Sequence, residues 1–480
     1  MNKNKKLINI LAALSEDVTV RDVTEECLGD GTVQINISVD HAPKRPLCIC
    51  GSKKCRKHGT KKAWTMHIPQ GERKPTRIFY DRQRYICKAC GKTILEHVDW
   101  IYNDSHLSAC LARNIENDLK SIMTKNDIAR INGVSVHYVD YMLKMLTPPM
   151  PSHLPDVICL DETFSEVEEQ LSEKTSWVRF VTNLSDGETG ELLDVLPYRN
   201  KKRLVKYFKD NFPYEERCKV NFLCCDSAKS YMSLADNCFP NAVVCLDNFH
   251  ITKRILLGFF KVRTKQQDHF LSLSKSQNDR YHKEYTDLKR LAHKFVTTVY
   301  NQEALWGSSY TTYADRIRHH LGICPELKDA YAMVQCYYEI THLISDYGYK
   351  ARQLDTWISI FGKSTSEHIA STVKYVEDHL PYIHNAWEHG YSNAVCEGNN
   401  NIIQTIKSLS FGIHSFDYFR TRSLLIAGRP GVARAIERHV HKDYAASPGT
   451  FFFDEFPSLE NYALAYDWSN PSRDFSKEGA

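Results

Sequence analysis

The stretch "KVNFLCCDSAKSYMSLADNCFPNAVVCLDNFH", residues 219–250, contains two apolar runs that each stop at an acid, Asp226 and Asp247. A third run, "DVICLDETF" (156–164), stops the same way at Asp161. Short apolar runs bounded by turn-forming residues read as strands buried on both faces. Between the run ending at Asp161 and the run ending at Asp226, "WVRFVTNLSDGETGELLDVLPYR" (177–199) gives two more strand patterns around a turn at Asp186-Gly187, and "KKRLVKYFKDNF" (201–212) has helical spacing. The predicted order is three antiparallel strands, a helix, then two strands joined by another helix. Three of the five strands deliver an aspartate at or near their ends, so each is a candidate for acid chemistry.

Working outward, residues 251–391 change character. "ITKRILLGFFKVR", "RYHKEYTDLKRLAHKFVTTVY", "ELKDAYAMVQCYYEITHLI" and "IASTVKYVEDHLPYIHNAWEH" all have apolar residues three or four apart, which predicts a helical block whose Tyr and His residues serve packing. Beyond it lies "YSNAVCEGNNNIIQTIKSLSFGIHSFDYFRTRSLL" (391–425). On a helix from Asn393, residues Ile402, Ile403, Ile406 and Leu409 share one face, while Glu397, Asn401, Gln404 and Ser408 share the opposite one. A carboxylate on an amide-rich stripe suits a face turned toward metal and phosphate. Gly398 and three asparagines are poor helix formers, so this helix start is strained or functional.

On the N-terminal side, residues 41–92 hold fifteen Lys and Arg against two Asp and Glu, although the whole chain carries a net charge of only +4. That asymmetry, laced with Trp64, Phe79, Tyr80 and Tyr85, is the footprint of a nucleic-acid contact. Lys61, Lys62, Arg82 and Arg84 are candidate contacts. The same region carries Cys48, Cys50, Cys55, Cys87 and Cys90. The C-x-x-C-G of "YICKACGKTI" has zinc-knuckle geometry, and Cys50-Gly51 mirrors Cys90-Gly91. Cys50, Cys87 and Cys90 are the favoured zinc ligands; the fourth is Cys48 or Cys55, with His58 an outsider. Next, "TKNDIARINGVSVHYVDYMLKML" (124–146) has the helix-turn-helix pattern: Ile128 and Ala129 on one helix, Gly133 at the turn, and Val134, Val139 and Leu143 on the second. Ser135 is a natural N-cap, and Ser135, His137 and Tyr138 begin the face offered to a DNA groove. Four prolines in "TPPMPSHLP" (147–155) mark a boundary.

Composition excludes several classes. No apolar run reaches the roughly 18–20 residues of a membrane span. The sixteen cysteines have no disulfide-framework spacing, and several sit inside apolar runs, so a reducing interior is expected. The N-terminal "MNKNKKLINILAALSEDV" is interrupted by Asn9 and followed by acids, which reads as an amphipathic helix and not as a signal peptide. A chain of 480 residues has room for two to four domains.

The strand and helix order matches the ribonuclease H fold. The chain also resembles the ISL-three family of bacterial insertion-sequence transposases, of the DDE type. The similarity rests on "CICGS…RKHG…RQRYICKACGKTILE", "LDETF", "CCDSAKSYMSLADNCFPNAVVCLDNFH" and "SNAVCEGNNNIIQTIKSLSFGIHSFDYFRTRSLL". It implies a multidomain α/β protein. An N-terminal segment (1–46), a zinc ribbon (47–100) and a helix-turn-helix (101–150) precede a ribonuclease H-like domain in two parts (151–255 and 391–430), an all-α insertion (256–390) interrupts that domain, and a tail (431–480) follows. It further implies that Asp161, Asp226 and Glu397 are the catalytic triad holding two Mg²⁺, for which Mn²⁺ may substitute, and that Asp247 and His250 form an auxiliary pair. The ribbon holds structural Zn²⁺; its first Cys is displaced, since Leu47 stands where one is expected. The activity implied is Mg-dependent cleavage and transfer of double-stranded DNA at the element's terminal inverted repeats. A homodimer in the cytoplasm, associated with the nucleoid and away from any membrane, is expected. The alternative is a zinc-ribbon and helix-turn-helix regulator with an inactive ribonuclease H-like portion.

Overall fold

The computed structural model describes residues 18–171, 174–276, 279–292, 295, 313–342, 346–409 and 415–428. The N-terminal amphipathic helix and the tail at 431–480 fall outside these residues.

The first sheet is built from β1 (Val18–Cys27), β2 (Val33–His41), β3 (Cys55–Gln70), β4 (Lys74–Cys87) and β5 (Thr93–Leu95), in the order β1-β2-β4-β3 with β5 on β4. β3 and β4 form a long antiparallel hairpin, turned by Gly71, Glu72 and Arg73, all at positive φ. β2 joins β4 in parallel. β1, whose "VTVRDVTEEC" is mostly exposed and so lacks clean alternation, joins the cysteine-bearing hairpin in one sheet through β2. The apolar side of this sheet is small, centred on Ile37, Val39, Ile78, Tyr80 and Trp100.

Three helices follow: α1 (Ala109–Leu119), α2 (Lys125–Asn132) and α3 (Val136–Met145). Thr124 caps α2 by accepting from Asp127 N at 3.0 Å, and Gly133 ends it in the left-handed region at φ 62°. Ile128, Ala129, Val139 and Leu143 are buried together with Leu111 and Ile115 of α1. Gly133 sits close against Pro69 and Pro75, and Ser108 bonds His67 at 2.8 Å, so the helices are docked on the hairpin.

The second sheet contains β6 (Val157–Leu171), β7 (Lys174–Asp186), β8 (Leu192–Leu196), β9 (Phe222–Cys225) and β10 (Val243–Leu246), in the order β10-β9-β6-β7-β8. β6, β7 and β8 are antiparallel neighbours; β9 and β10 run parallel to β6. Helix α4 (Lys201–Asn211) covers one face, with Leu204 and Phe208 buried beside Ile158, Leu160 and Leu223. β9 and β10 are only four residues each and almost entirely buried, because both faces are covered.

A block of helices follows this sheet. α5 (Asn248–Ser276) begins immediately after Asp247, and α6 (Asp279–Arg290), α7 (Tyr313–Ile323), α8 (Pro325–His342), α9 (Tyr347–Phe361), α10 (Glu367–Asp378) and α11 (Leu380–His389) follow. Its own core holds Phe259, Tyr331, Tyr337, Trp357 and Phe361, so these aromatics are packing residues as their spacing suggests. Two helices then return to the sheet: α12 (Ala394–Leu409), with Ile402, Ile403 and Ile406 buried against Val167, Val181 and Val195, and α13 (Phe416–Ala427). No helix among the described residues is long and apolar enough to cross a membrane.

Candidate active site

The register of the three parallel strands sets the site. Cys159, Cys224 and Cys245 lie in one row across β6, β9 and β10. Side chains two residues apart on a strand share a face. Asp161, Asp226 and Asp247, each two residues further on, therefore form a second row beside the thiols, where β9 and β10 end. The thiols are buried with Cys396 of α12 and act as apolar floor.

Asp161 is almost fully buried. Its Oδ1 accepts from Glu162 N at 2.8 Å and its Oδ2 from Asn400 Nδ2 at 2.7 Å, which fixes the plane of the carboxylate. Asp226 Oδ1 accepts from Ala228 N at 2.9 Å. Donor atoms of Asp161, Asp226 and His250 lie within 4.8 Å of one another. Asp247 stands behind them, also buried; its Oδ2 is 2.8 Å from His250 Nδ1, and its Oδ1 accepts from Asn393 N at 3.4 Å. Asp247 therefore occupies Nδ1 and leaves Nε2 as the ring nitrogen free to meet a cation.

The electrostatics follow from this crowding. Burial, reinforced by Asp226 and Asp247, pushes the Asp161 carboxyl up to about 6, against the pull of His250 and the Glu162 N–H. For His250 burial acts downward, but the bond and charge of Asp247 prevail and raise its pKa. Three acids and one imidazole are thus held close at a cost that a cation would relieve. Two carboxylates and an imidazole form a donor set suited to a divalent cation, so the residues fit such an ion.

Glu397 is not within that close group of donors. It is half-buried in the first turn of α12, between Cys396, packed on the thiol row, and Asn400, bonded to Asp161. Residues three apart lie on one helical face, so Glu397 shares the face of Asn400. The polar stripe predicted from the sequence is rotated in the structure. Asn401 and Ser408 are exposed, Gln404 donates to Phe164 O at 2.9 Å, and the inward residues are Asn393, Asn399 and Asn400. Asn393 Nδ2 donates to Leu160 O at 3.1 Å and Asn399 Nδ2 to Ser185 Oγ at 2.9 Å, while Asn400 also meets Thr163 and Asn183. The triple asparagine was visible in the sequence; the helix phase that selects among the three was not.

A second donor group gathers Cys48, Cys50, Cys87 and Cys90. Cys48 and Cys90 sulfurs are 3.5 Å apart, and those of Cys50 and Cys87 3.7 Å. Cys48 with Cys50, and Cys87 with Cys90, sit in matching turns: Gly51 N bonds Cys48 O and Gly91 N bonds Cys87 O, with the glycines at φ 81° and 70°. The amides of Cys90 and Ala89 bring the Cys87 thiol down to about 6, while Cys48, where burial and neighbouring thiols outweigh the Cys50 amide, rises to about 12. Four sulfurs this close fit a thiophilic dication. Cys55 lies opposite Cys87 on the neighbouring strand, outside the four, and His58 is exposed on β3.

Lys61, Lys62 and Arg84 are exposed on the hairpin. Arg82 is committed internally, to Glu96 O at 3.0 and 2.8 Å and to Asp104. Ser135 and His137 are exposed at the start of α3; Ser135 makes no side-chain capping bond, and Tyr138 is half-buried against the three-helix core.

Acids gathered across three parallel strands, with a carboxylate-bearing helix returning from far along the chain, give a donor group of the kind that can hold a divalent cation. A family profile described as transposase matches residues 158–423, more than half of the chain and the whole of this site. The chain belongs to the ISL3 family of DDE transposases. A search of curated proteins returns no match.

Proposed function

We propose that this chain binds the terminal inverted repeats of its own insertion sequence, cuts the DNA at the element ends and joins the freed 3′-hydroxyls to target DNA. The observation that carries this reading is the meeting of Asp161, Asp226 and His250 in a transposase-family chain, with Glu397 one helical turn from the Asn400–Asp161 bond. On this reading β6–β10 with α12 and α13 is a ribonuclease H-like domain interrupted by the helical block. Asp161, Asp226 and Glu397 are its acids. Two Mg²⁺, when bound, supply Lewis-acid charge at the attacking and leaving oxygens of an in-line displacement.

The chain's own residues do the rest. Asn400 and the Glu162 amide orient Asp161, Asn393 ties β6 to Asp247, and Asp247 aims His250 at the acids. The four-cysteine knuckle holds one Zn²⁺ and makes a zinc ribbon of the basic hairpin, which with the helix-turn-helix α2–α3 engages duplex DNA. Two chains pair two element ends, in the cytoplasm.

The test is incubation of the purified chain with duplexes containing the sequence flanking its gene, with and without Mg²⁺. Nicks at the element end that need Mg²⁺ and vanish in Asp161→Asn and Glu397→Gln support the reading; Mg²⁺-independent nicking, or nicking that survives in either variant, overturns it.

A further inference from the structure

α13 is buried on nearly every side: Phe416, Phe419, Thr421, Arg422, Ser423, Leu424, Ile426 and Ala427 are all inaccessible. A helix buried all round lies between two packed bodies. One body is the acid-bearing sheet. Phe419 and Leu424 join Val181, Leu192 and Val195, Arg420 Nε bonds Asp194 at 2.6 Å, and Gly428 lies so close to β8 that a Cβ would meet Leu192 O at 3.2 Å. The other body is the three-helix unit. Tyr418 and Leu425 pack into the core of α1–α3, and Lys125 of α2 sits 4.6 Å over the Tyr418 ring.

Arg422 closes the seam. Its guanidinium reaches out of the sheet's helix to carbonyls at the end of α1 and in the loop before α2: Leu119 O, Ser121 O at 3.2 Å and Met123 O at 2.8 Å. Leu119 O is one of the open carbonyls at a helix C-terminus, which carry partial negative charge, and a cation there is stabilised. A guanidinium is suited to this because its fork bonds several acceptors in fixed geometry. The three-helix unit therefore does not hang from the proline-rich segment 147–155; it is bolted to the catalytic sheet.

Resting on the proposed function, we infer that Arg422 is a positioning residue: it sets the distance between the DNA-reading helices and the acids, and so selects which phosphodiester is cut. The protein measures its cut from the sequence it reads.

Arg422→Met keeps the volume and removes the three carbonyl bonds. In full-length protein, end binding stays within about twofold of the parent. The cut, mapped at nucleotide resolution, spreads from one phosphodiester to its neighbours, and duplexes with one base pair inserted between the recognised sequence and the cut become substrates. A single unshifted cut with a normal demand for spacing overturns the inference. A second readout needs no catalysis. After proteolytic nicking within 147–155, the two fragments of the parent stay together on size exclusion, and those of Arg422→Met separate; co-elution of the variant's fragments also overturns it. If Arg422→Met does not fold, Tyr418→Leu at the half-buried rim of the same seam takes its place in both assays. A parent chain that cuts no end DNA, yet whose nicked fragments hold together through Arg422, refutes the proposed function and leaves the latch standing.

Discussion

At the scale of single residues, the proposed function divides the site into acids that would meet a cation and groups that aim them. Asp226→Asn removes a carboxylate from the cluster and is expected to lower cleavage at least about a thousandfold, the order set by losing several kcal/mol of charge stabilisation, with end binding unchanged. Asp247→Asn keeps a hydrogen bond to His250 but removes the charge behind it. Losing such an outer-shell partner weakens cation affinity about 10–100-fold, so cleavage by this variant returns at higher Mg²⁺, whereas Asp226→Asn is not rescued. Asp161 adds a pH signature. Its folded-state pKa, raised to about 6, lies above its unfolded value, so its contribution to stability is complete at low pH and is lost as pH rises through about 6. A shift of this size corresponds to roughly 3 kcal/mol of penalty at neutral pH, which a bound cation offsets. Thermal melts should show Mg²⁺ raising Tm more at pH 7.5 than at pH 5; equal increments would contradict this.

At the scale of elements, the cysteine knuckles and α12 make different predictions. Cys50→Ser should lose the bound zinc, unfold the hairpin ends and abolish end binding, because the apolar side of the first sheet is too small to hold them unaided. Cys55→Ser, outside the four-sulfur group, should retain one zinc per chain by metal analysis. The sequence made much of this readable. Each apolar run became a strand: Asp226 and Asp247 fall just past theirs, whereas β6 continues well beyond Asp161 to Leu171 as an arm of the hairpin with β7. A doubly covered parallel strand needs an uninterrupted apolar run and so leaves a signature. Ile402, Ile403 and Ile406 marked the buried face of α12 for the same reason. Less readable was β1, an edge strand with little to bury and so no alternation. Also hidden was the fourth sulfur: the C-x-C spacing of Cys48 and Cys50 departs from a regular knuckle, and only the turn at Gly51 shows that it closes. The pairing of Asn400 with Asp161 depends on how a helix is rotated against a strand 239 residues away, which no local pattern records.

At the scale of the whole molecule, charge and connectivity matter most. The basic hairpin should make end binding strongly salt-dependent, with a log–log slope near −0.9 for each phosphate neutralised, and Lys61→Ala with Lys62→Ala should flatten that slope by about two units in a fluorescence titration. An unchanged slope would place the contact elsewhere. The long span between Asp161 and α12 has one more consequence, and it concerns synthesis. At about 5–20 residues per second, a ribosome takes on the order of ten to fifty seconds to pass from Asp161 to Asn400. Throughout that interval the basic hairpin has already emerged while the acid site lacks its last helix. If the proposed function holds, the nascent chain is a reader before it is a cutter, and the sequence it is proposed to read flanks its own gene. A chain shortened to residue 390 should remain in that earlier state and, when co-expressed, act as an inhibitor of the complete one by occupying ends it cannot cut.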